Sequence, residues 1–143
     1  MKINILINSG YSFFSLRKSL VMYLLKKNYI RVLTPNNVKN IKKKLNYKNL
    51  KVEKFKFFDD KSSIIHLLNN FINLKTKFIN NENDTNIIFG SYLNLIYGLL
   101  SSFIKSKKNV YVFTGLGSYF NSDKKISIYI LRFFFNFIIS KKN

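Results

Sequence analysis

Cysteine is absent from this 143-residue chain, and histidine occurs once, as His66. Disulfides, thiol nucleophiles, cysteine metal sites and multi-histidine metal clusters are therefore excluded. Acidic residues number 6 against 25 lysines and arginines. Of these, Asp59 and Asp60 read as loop residues and Asp123 as a helix cap, which leaves no convincing general base. Long apolar runs are missing too. A spanning helix needs roughly 20 apolar residues, and the nearest stretch, Ile126 to Ser140, is interrupted by Arg132 and Asn136. The N-terminal "MKINILINSG" is too short for a signal-peptide core and has no small-residue cleavage site. The expected location is the cytoplasm.

What is present points to a folded domain. At 47% hydrophobic and 17% aromatic residues, the chain can bury a core, and its length fits one domain, residues 1–143. The formal net charge is +19. Such a charge suits a polyanionic partner, either nucleic acid or an anionic membrane surface. It suits a solvated lysine surface better: only Arg17, Arg31 and Arg132 are arginine, and the abundance of Asn, Ile, Phe and Tyr is the bias of an AT-rich genome. No RNP-type aromatic motif, zinc finger or helix-turn-helix signal occurs, which argues against nucleic acid.

Short apolar runs alternate with stretches of helical period. Ile3 to Ile7 reads as a strand buried on both faces. Phe13 to Lys27 follows as a helix with Ser12 as N-cap and an apolar face at Phe13, Leu16, Leu20 and Leu24, flanked by Val21 and Leu25. "YIRVLTP" is a second strand stopped by the only proline, "NNVKNIKKKLNY" a short basic helix, and "LKVEKFKFF" a less buried strand. A helix with Ile64, Leu67, Leu68, Phe71, Leu74 and Phe78 on its apolar face comes next, with His66 on the polar face. After the loop "NNEND", "TNIIFG" is a fourth strand, Leu93 to Ile104 a helix, "NVYVF" a fifth strand, and residues 122–140 a last helix. The βαβαβαβαβα order predicts an α/β fold: a Rossmann-like parallel sheet of about five strands with helices on both faces.

In such a sheet ligands bind beyond the carboxyl ends of the strands, near the switch in strand order. The loops there are Asn8-Ser9-Gly10-Tyr11, Phe89-Gly90-Ser91-Tyr92 and Thr114-Gly115-Leu116-Gly117. Glycine lets backbone N–H groups approach a ligand, and helix N-termini favour phosphate. Ordinary tight turns account for the same residues equally well. Neither glycine loop is a dinucleotide fingerprint: Gly10 stands alone, and Phe120 falls where a third glycine would follow Gly115 and Gly117. A Gly-Lys-Ser/Thr phosphate loop is absent as well.

The segments "ILINSGYSFFSLRKSLVMYLLKKNYIRVLTP", "FFDDKSSIIHLLNNF", "IIFGSYLNLIYGLL" and "VYVFTGLGSYF" resemble, in order, the N-terminal half of a family 4 GT-B glycosyltransferase. The closest subgroup is the bacterial enzymes that glycosylate lipid-linked or surface polysaccharide precursors. The Gly-Leu-Gly loop and the Phe-x-x-Arg pattern from Phe14 to Arg17 are the more specific elements. The resemblance implies an acceptor-binding domain, with a lipid-linked or polysaccharide glycan as acceptor, a nucleotide-sugar donor as co-substrate, and no metal or other cofactor. By the same resemblance Ser9 and Gly10 shape a phosphate-proximal loop. Gly115 and Gly117 admit acceptor or sugar, with Gly90 on the same rim. Arg17 either neutralises a diphosphate or is a surface arginine of the first helix. Tyr92 aligns where many relatives carry a histidine near the transferred sugar.

The sequence ends after the fifth helix, so the donor-binding half of the resemblance is not matched. That leaves a split enzyme with a separate donor-domain chain, a non-catalytic remnant or binding module, or a basic nucleic-acid-binding protein. The last helix bears a polar stripe at Lys125, Tyr129, Arg132, Asn136 and Ser140. It suits packing on the sheet, or peripheral contact at the inner face of the cytoplasmic membrane.

Overall fold

The computed structural model of the protein describes residues 1–58, 64–78, 84–104, 108–113 and 136. Five strands, β1 (Lys2–Ile7), β2 (Tyr29–Thr34), β3 (Leu50–Lys54), β4 (Thr85–Phe89) and β5 (Lys108–Val112), form one sheet in the order β3-β2-β1-β4-β5. Every pairing is parallel, as the alternation of apolar runs with helical segments predicts. The helical elements are α1 (Gly10–Ser12), a π-helical turn (Phe13–Arg17), α2 (Lys18–Leu25), α3 (Val38–Lys44), α4 (Ile64–Phe78) and α5 (Ser91–Leu100). Of the expected last helix, only Asn136 is among the described residues, and it is helical and exposed.

Alternation along the strands divides the core in two. Ile3, Ile5 and Ile7 of β1, with Ile30 and Val32 of β2, pack under Phe13, Val21, Leu25 and Ile41. Leu6, Leu33 and Ile88 point the other way, against Leu74 and Phe78 of α4 and Leu93, Ile96, Tyr97 and Leu100 of α5. Helices therefore cover both faces, and the central strand β1 is the most enclosed. Among the described residues no helix is long and apolar enough to cross a membrane.

Two helix faces differ from the sequence expectation. The first helical stretch starts at Gly10, capped by Ser9 rather than Ser12; the Ser9 hydroxyl accepts from Tyr11 N at 3.3 Å. From Phe13 on, its buried residues are Phe13, Arg17, Val21 and Leu25, whereas Leu16 and Leu20 are 70% and 37% exposed. A strict spacing of four would drift by about 120° over this span in a regular helix of 3.6 residues per turn. The π-helical turn lengthens the first turn and keeps all four on one side. On α4, Leu68 is exposed while Asn70 is fully buried, its side chain holding both the N–H and the carbonyl of Phe58 at 2.8 Å. His66 is partly buried, with its ring stacked on Phe58 at 5.0 Å.

The far edge of the sheet is tied down electrostatically. Arg31 of β2 grips Glu53 of β3 with two bonds, at 3.2 and 2.8 Å, and donates to the Lys77 carbonyl at the end of α4. Lys51 lies 2.8 Å from the same carboxylate. Hydrogen bonds from Arg31, then Lys51, hold the Glu53 carboxyl down at about 2 from its ordinary 4.5, against the opposing effect of burial. A carboxyl depressed in the folded state stabilises it above the unfolded pKa, and that stabilisation disappears as pH falls from 4.5 towards 2. We expect Glu53→Gln to cost on the order of 1–2 kcal/mol at neutral pH, allowing for partial solvent screening. Denaturant titrations at stepped pH should show the gap closing below pH 4.5. A gap that stays constant down to pH 2 would contradict the assignment.

Candidate functional site

The chain runs outward from β1 to β2 to β3, then returns to place β4 on the other side of β1. The connections leaving β1 and β4 therefore diverge, opening a crevice at the carboxyl ends of these two strands. Asn8, Ser9 and Gly10 stand on one side of it and Gly90 and Ser91 on the other. The two sides are close: the Asn8 side chain lies 3.4 Å from the position a Cβ on Gly90 would take. Gly90 has φ +104° and ψ 135°, a conformation that glycine adopts readily and L side chains do not. It turns the chain from β4 straight into α5, and its N–H donates to the Val112 carbonyl at 3.2 Å.

Gly10 has a different reason to be glycine. A Cβ there would run into the Asn36 carbonyl oxygen and come within 2.7 Å of the Asn37 Cβ. Its N–H donates to Asn36 Oδ1 at 2.7 Å, and Thr34 Oγ1 donates to the Asn36 carbonyl at 3.0 Å. The loops following β1 and β2 are thus clamped together, and Gly10 lets them touch.

Arg17 lies beneath this rim. It is only 3% exposed, so it is not the surface arginine that a regular helix would present. Its Nη1 donates to the Ser12 carbonyl at 3.0 Å, and its guanidinium carbon sits 5.0 Å from the centre of the Phe89 ring, the last residue of β4. Among the described residues Nε is buried and finds no hydrogen-bond partner, and burial lowers the guanidinium pKa from its usual value. The described carboxylates are engaged elsewhere: Glu53 with Arg31, Lys51 and Lys77, and Asp84 with Lys2 and Asn4.

The structure therefore brings Ser9, Gly10, Gly90 and Arg17 to one end of two adjacent strands. Tyr92 turns away from them: its ring packs against Phe57 at 5.7 Å, in the cluster between the sheet and α4–α5. Gly115 and Gly117 lie outside the described residues. Sequence reasoning placed Phe89 and Ser91 in a strand-end loop without giving either a role: Phe89 supplies the aromatic face for Arg17, and among the described residues the Ser91 hydroxyl is buried without a partner at the start of α5. The serine directly after a strand-ending glycine was the available signal. Among the described residues no three His, Asp or Glu side chains come together as a metal site.

Compared with models of protein families the chain matches none, and among curated proteins it finds no match.

Proposed function

We propose that this chain is the acceptor-side half of a family 4 GT-B glycosyltransferase. It would hold a glycan acceptor, lipid-linked or of the cell-surface polysaccharide type, while a donor-binding half presents a nucleotide sugar across the cleft. The acceptor hydroxyl displaces the nucleoside diphosphate at the anomeric carbon. The observation that carries the proposal is the pairing of β1 and β4 as neighbours, because it sets two of the loops within the resembling segments on either side of one crevice. Ser9, Gly10 and Gly90 form its described rim, with Gly115 and Gly117 as the further substrate-side positions implied by the resemblance; Tyr92, packed against Phe57, is not one of them.

Peripheral contact with an anionic membrane belongs to the same proposal. It is supported by the outer side of the π-helical turn and α2, where exposed Leu16, Leu20 and Tyr23 sit among exposed Lys18 and, just past the helix, Lys26 and Lys27. A groove of about 420 Å³ lined by Lys18, Ser19, Met22, Tyr23 and Lys26 runs along this face. Apolar side chains interleaved with lysines are what an interfacial helix offers to acyl chains and headgroups.

Glycosyl transfer depends on holding donor and acceptor together, and one side of a cleft supplies none of that proximity. The 143-residue chain, given a nucleotide sugar and a short-chain polyprenyl-diphosphate saccharide, should release no nucleoside diphosphate. Adding or fusing a donor-binding Rossmann domain from an enzyme of the same family should restore turnover. Transfer by the chain alone, or none with any donor half despite measurable acceptor binding, would reject the proposal.

A further inference from the structure

An edge strand leaves half of its main-chain hydrogen-bonding groups without a sheet partner. β3 closes one side of the sheet, with β2 as its one neighbouring strand among the described residues. The Asn49 carbonyl accepts from Ile30 N at 2.8 Å, and Phe55 N donates to the Thr34 carbonyl at 3.2 Å. Parallel pairing alternates, so Lys51 and Glu53 between them also face β2. The N–H groups of Val52 and Lys54 and the carbonyls of Leu50 and Val52 therefore point away from the sheet. A groove of about 290 Å³ lies there, with Leu50 to Glu53 on one wall and Lys42, Leu45, Asn46 and Tyr47 on the other. Val52 belongs to the core under α3, while Glu53 reaches Lys77 of α4 on the opposite face. A groove touching both residues sits at the edge itself. Tyr47 is 42% exposed in it. All eight lysines from Lys39 to Lys56 are exposed, and Glu53 is the only carboxylate in that span. Arg31, Lys51 and Lys77 already take up its charge, so the edge is strongly positive. Lysines on an edge keep two like edges from pairing, and a second copy of this chain would bring the same lysines to the contact. A strand of opposite charge is the one they admit.

We propose that the outer edge of β3 is a docking site for an extended acidic segment of another protein, which joins the sheet beside β3. Main-chain bonds to Val52 and Lys54 supply the affinity, and Lys42, Lys51 and Lys54 select Glu or Asp at alternate positions. Tyr47 packs against the side chains between them. The site lies across β2 from the β1/β4 crevice and does not depend on the glycosyltransferase proposal.

The probe is an acetylated and amidated heptapeptide, Glu-Thr-Glu-Val-Glu-Thr-Glu, titrated into the 143-residue chain at physiological salt. Salt at that level screens the diffuse attraction of a +19 chain. At saturation, amide hydrogen exchange should slow at Val52 and Lys54 and change less than twofold at Lys51 and Glu53, which β2 already holds. Two N-methylated forms of the peptide, one blocked at the Glu amides and one at the Thr and Val amides, separate strand pairing from charge. At least one should bind tenfold more weakly than the parent. Lys54→Pro removes an outward N–H and takes no bond from the β2–β3 pair. It should weaken binding at least tenfold, against less than threefold for Lys54→Gln, which removes the charge alone. Should Lys54→Pro fail to fold, the exchange and N-methyl measurements on the unaltered chain decide. Equal binding by all three peptides, or no saturable binding at millimolar peptide, would overturn the site. Tighter binding of oligothymidylate, with the two Lys54 variants alike, would make this edge a nucleic-acid surface instead and reject the proposal. Protection of Val52 and Lys54 that grows with protein concentration alone would mean self-pairing and reject it too.

Discussion

Replacing Asn4 with Asp should unfold the protein at neutral pH or cost at least about 3 kcal/mol, the scale of a buried charge left without a partner. Asn4 is fully buried in the central strand. Its Nδ2 donates to Asp84 Oδ2 at 3.0 Å and to Asn86 Oδ1 at 2.8 Å, and Asn86 in turn donates to Asn109 Oδ1 at 3.0 Å. These three asparagines are register partners on β1, β4 and β5, so the amides form a ladder across the sheet. Asn4→Asp would remove the donor at one end and set a second carboxylate against Asp84, with the half-exposed Lys2 as the one cation paired with Asp84 among the described residues. The folded-state pKa of the introduced carboxyl would be raised, so the lost stability returns as pH falls below that value and the protonated group donates again. The unaltered protein, losing the Glu53 contribution, moves the opposite way over the same acid range. Chemical denaturation at pH 7 and pH 4 should show the two proteins converging. A variant as stable as the parent at pH 7 would mean that the ladder is not enclosed.

The ladder marks where sequence reading stopped. The element order, the parallel sheet and its two-sided cover follow from apolar runs broken by helical periods, and the structure has them. Each of the three strands also carries, within its first three residues, an asparagine directly before a β-branched residue: Asn4-Ile5, Asn86-Ile87 and Asn109-Val110. That repetition was legible, but in a chain so rich in asparagine it reads as composition, and only register makes it a network. The first helix hid its inward face for a different reason. A period of 3.6 assigns Leu16 and Leu20 to the core, and nothing in the sequence announces the π-helical turn that rotates them out and Arg17 in. Of the rim, the glycines at strand ends were visible while their separate purposes were not. That of Gly10 depends on a contact between loops 26 residues apart in sequence, with Asn36, and that of Gly90 on a positive φ at the turn from β4 into α5.

Gly10→Val should be the most disruptive change at the rim, and Gly10→Ala a graded version of it. Neither acts through φ, since Gly10 is not in the left-handed region; the obstacle is the backbone of the next loop. A methyl at Gly10 meets the Asn36 carbonyl oxygen, with the carbonyl carbon at 3.1 Å, and neither is the yielding end of a flexible side chain. The loop after β2 must move away, which breaks the 2.7 Å bond from Gly10 N to Asn36 Oδ1 and the Thr34 contact behind it. Overpacking of this kind costs about 1–3 kcal/mol, or roughly 3–10 °C in melting temperature for a domain of this size. The valine variant should exceed that range. Gly90→Ala provides the contrast: its Cβ would find the Asn8 side chain at an ordinary 3.4 Å, so its cost is backbone strain at φ +104°, about 1–3 kcal/mol. The two routes separate in a double variant. Asn36→Gly cannot relieve the clash of Gly10→Ala, because the obstructing atom is main chain, whereas Asn8→Ala leaves the Gly90→Ala penalty untouched because φ, not space, sets it. Recovery of the melting temperature in either double variant would show that side-chain crowding, and not the backbone, dictates these two glycines.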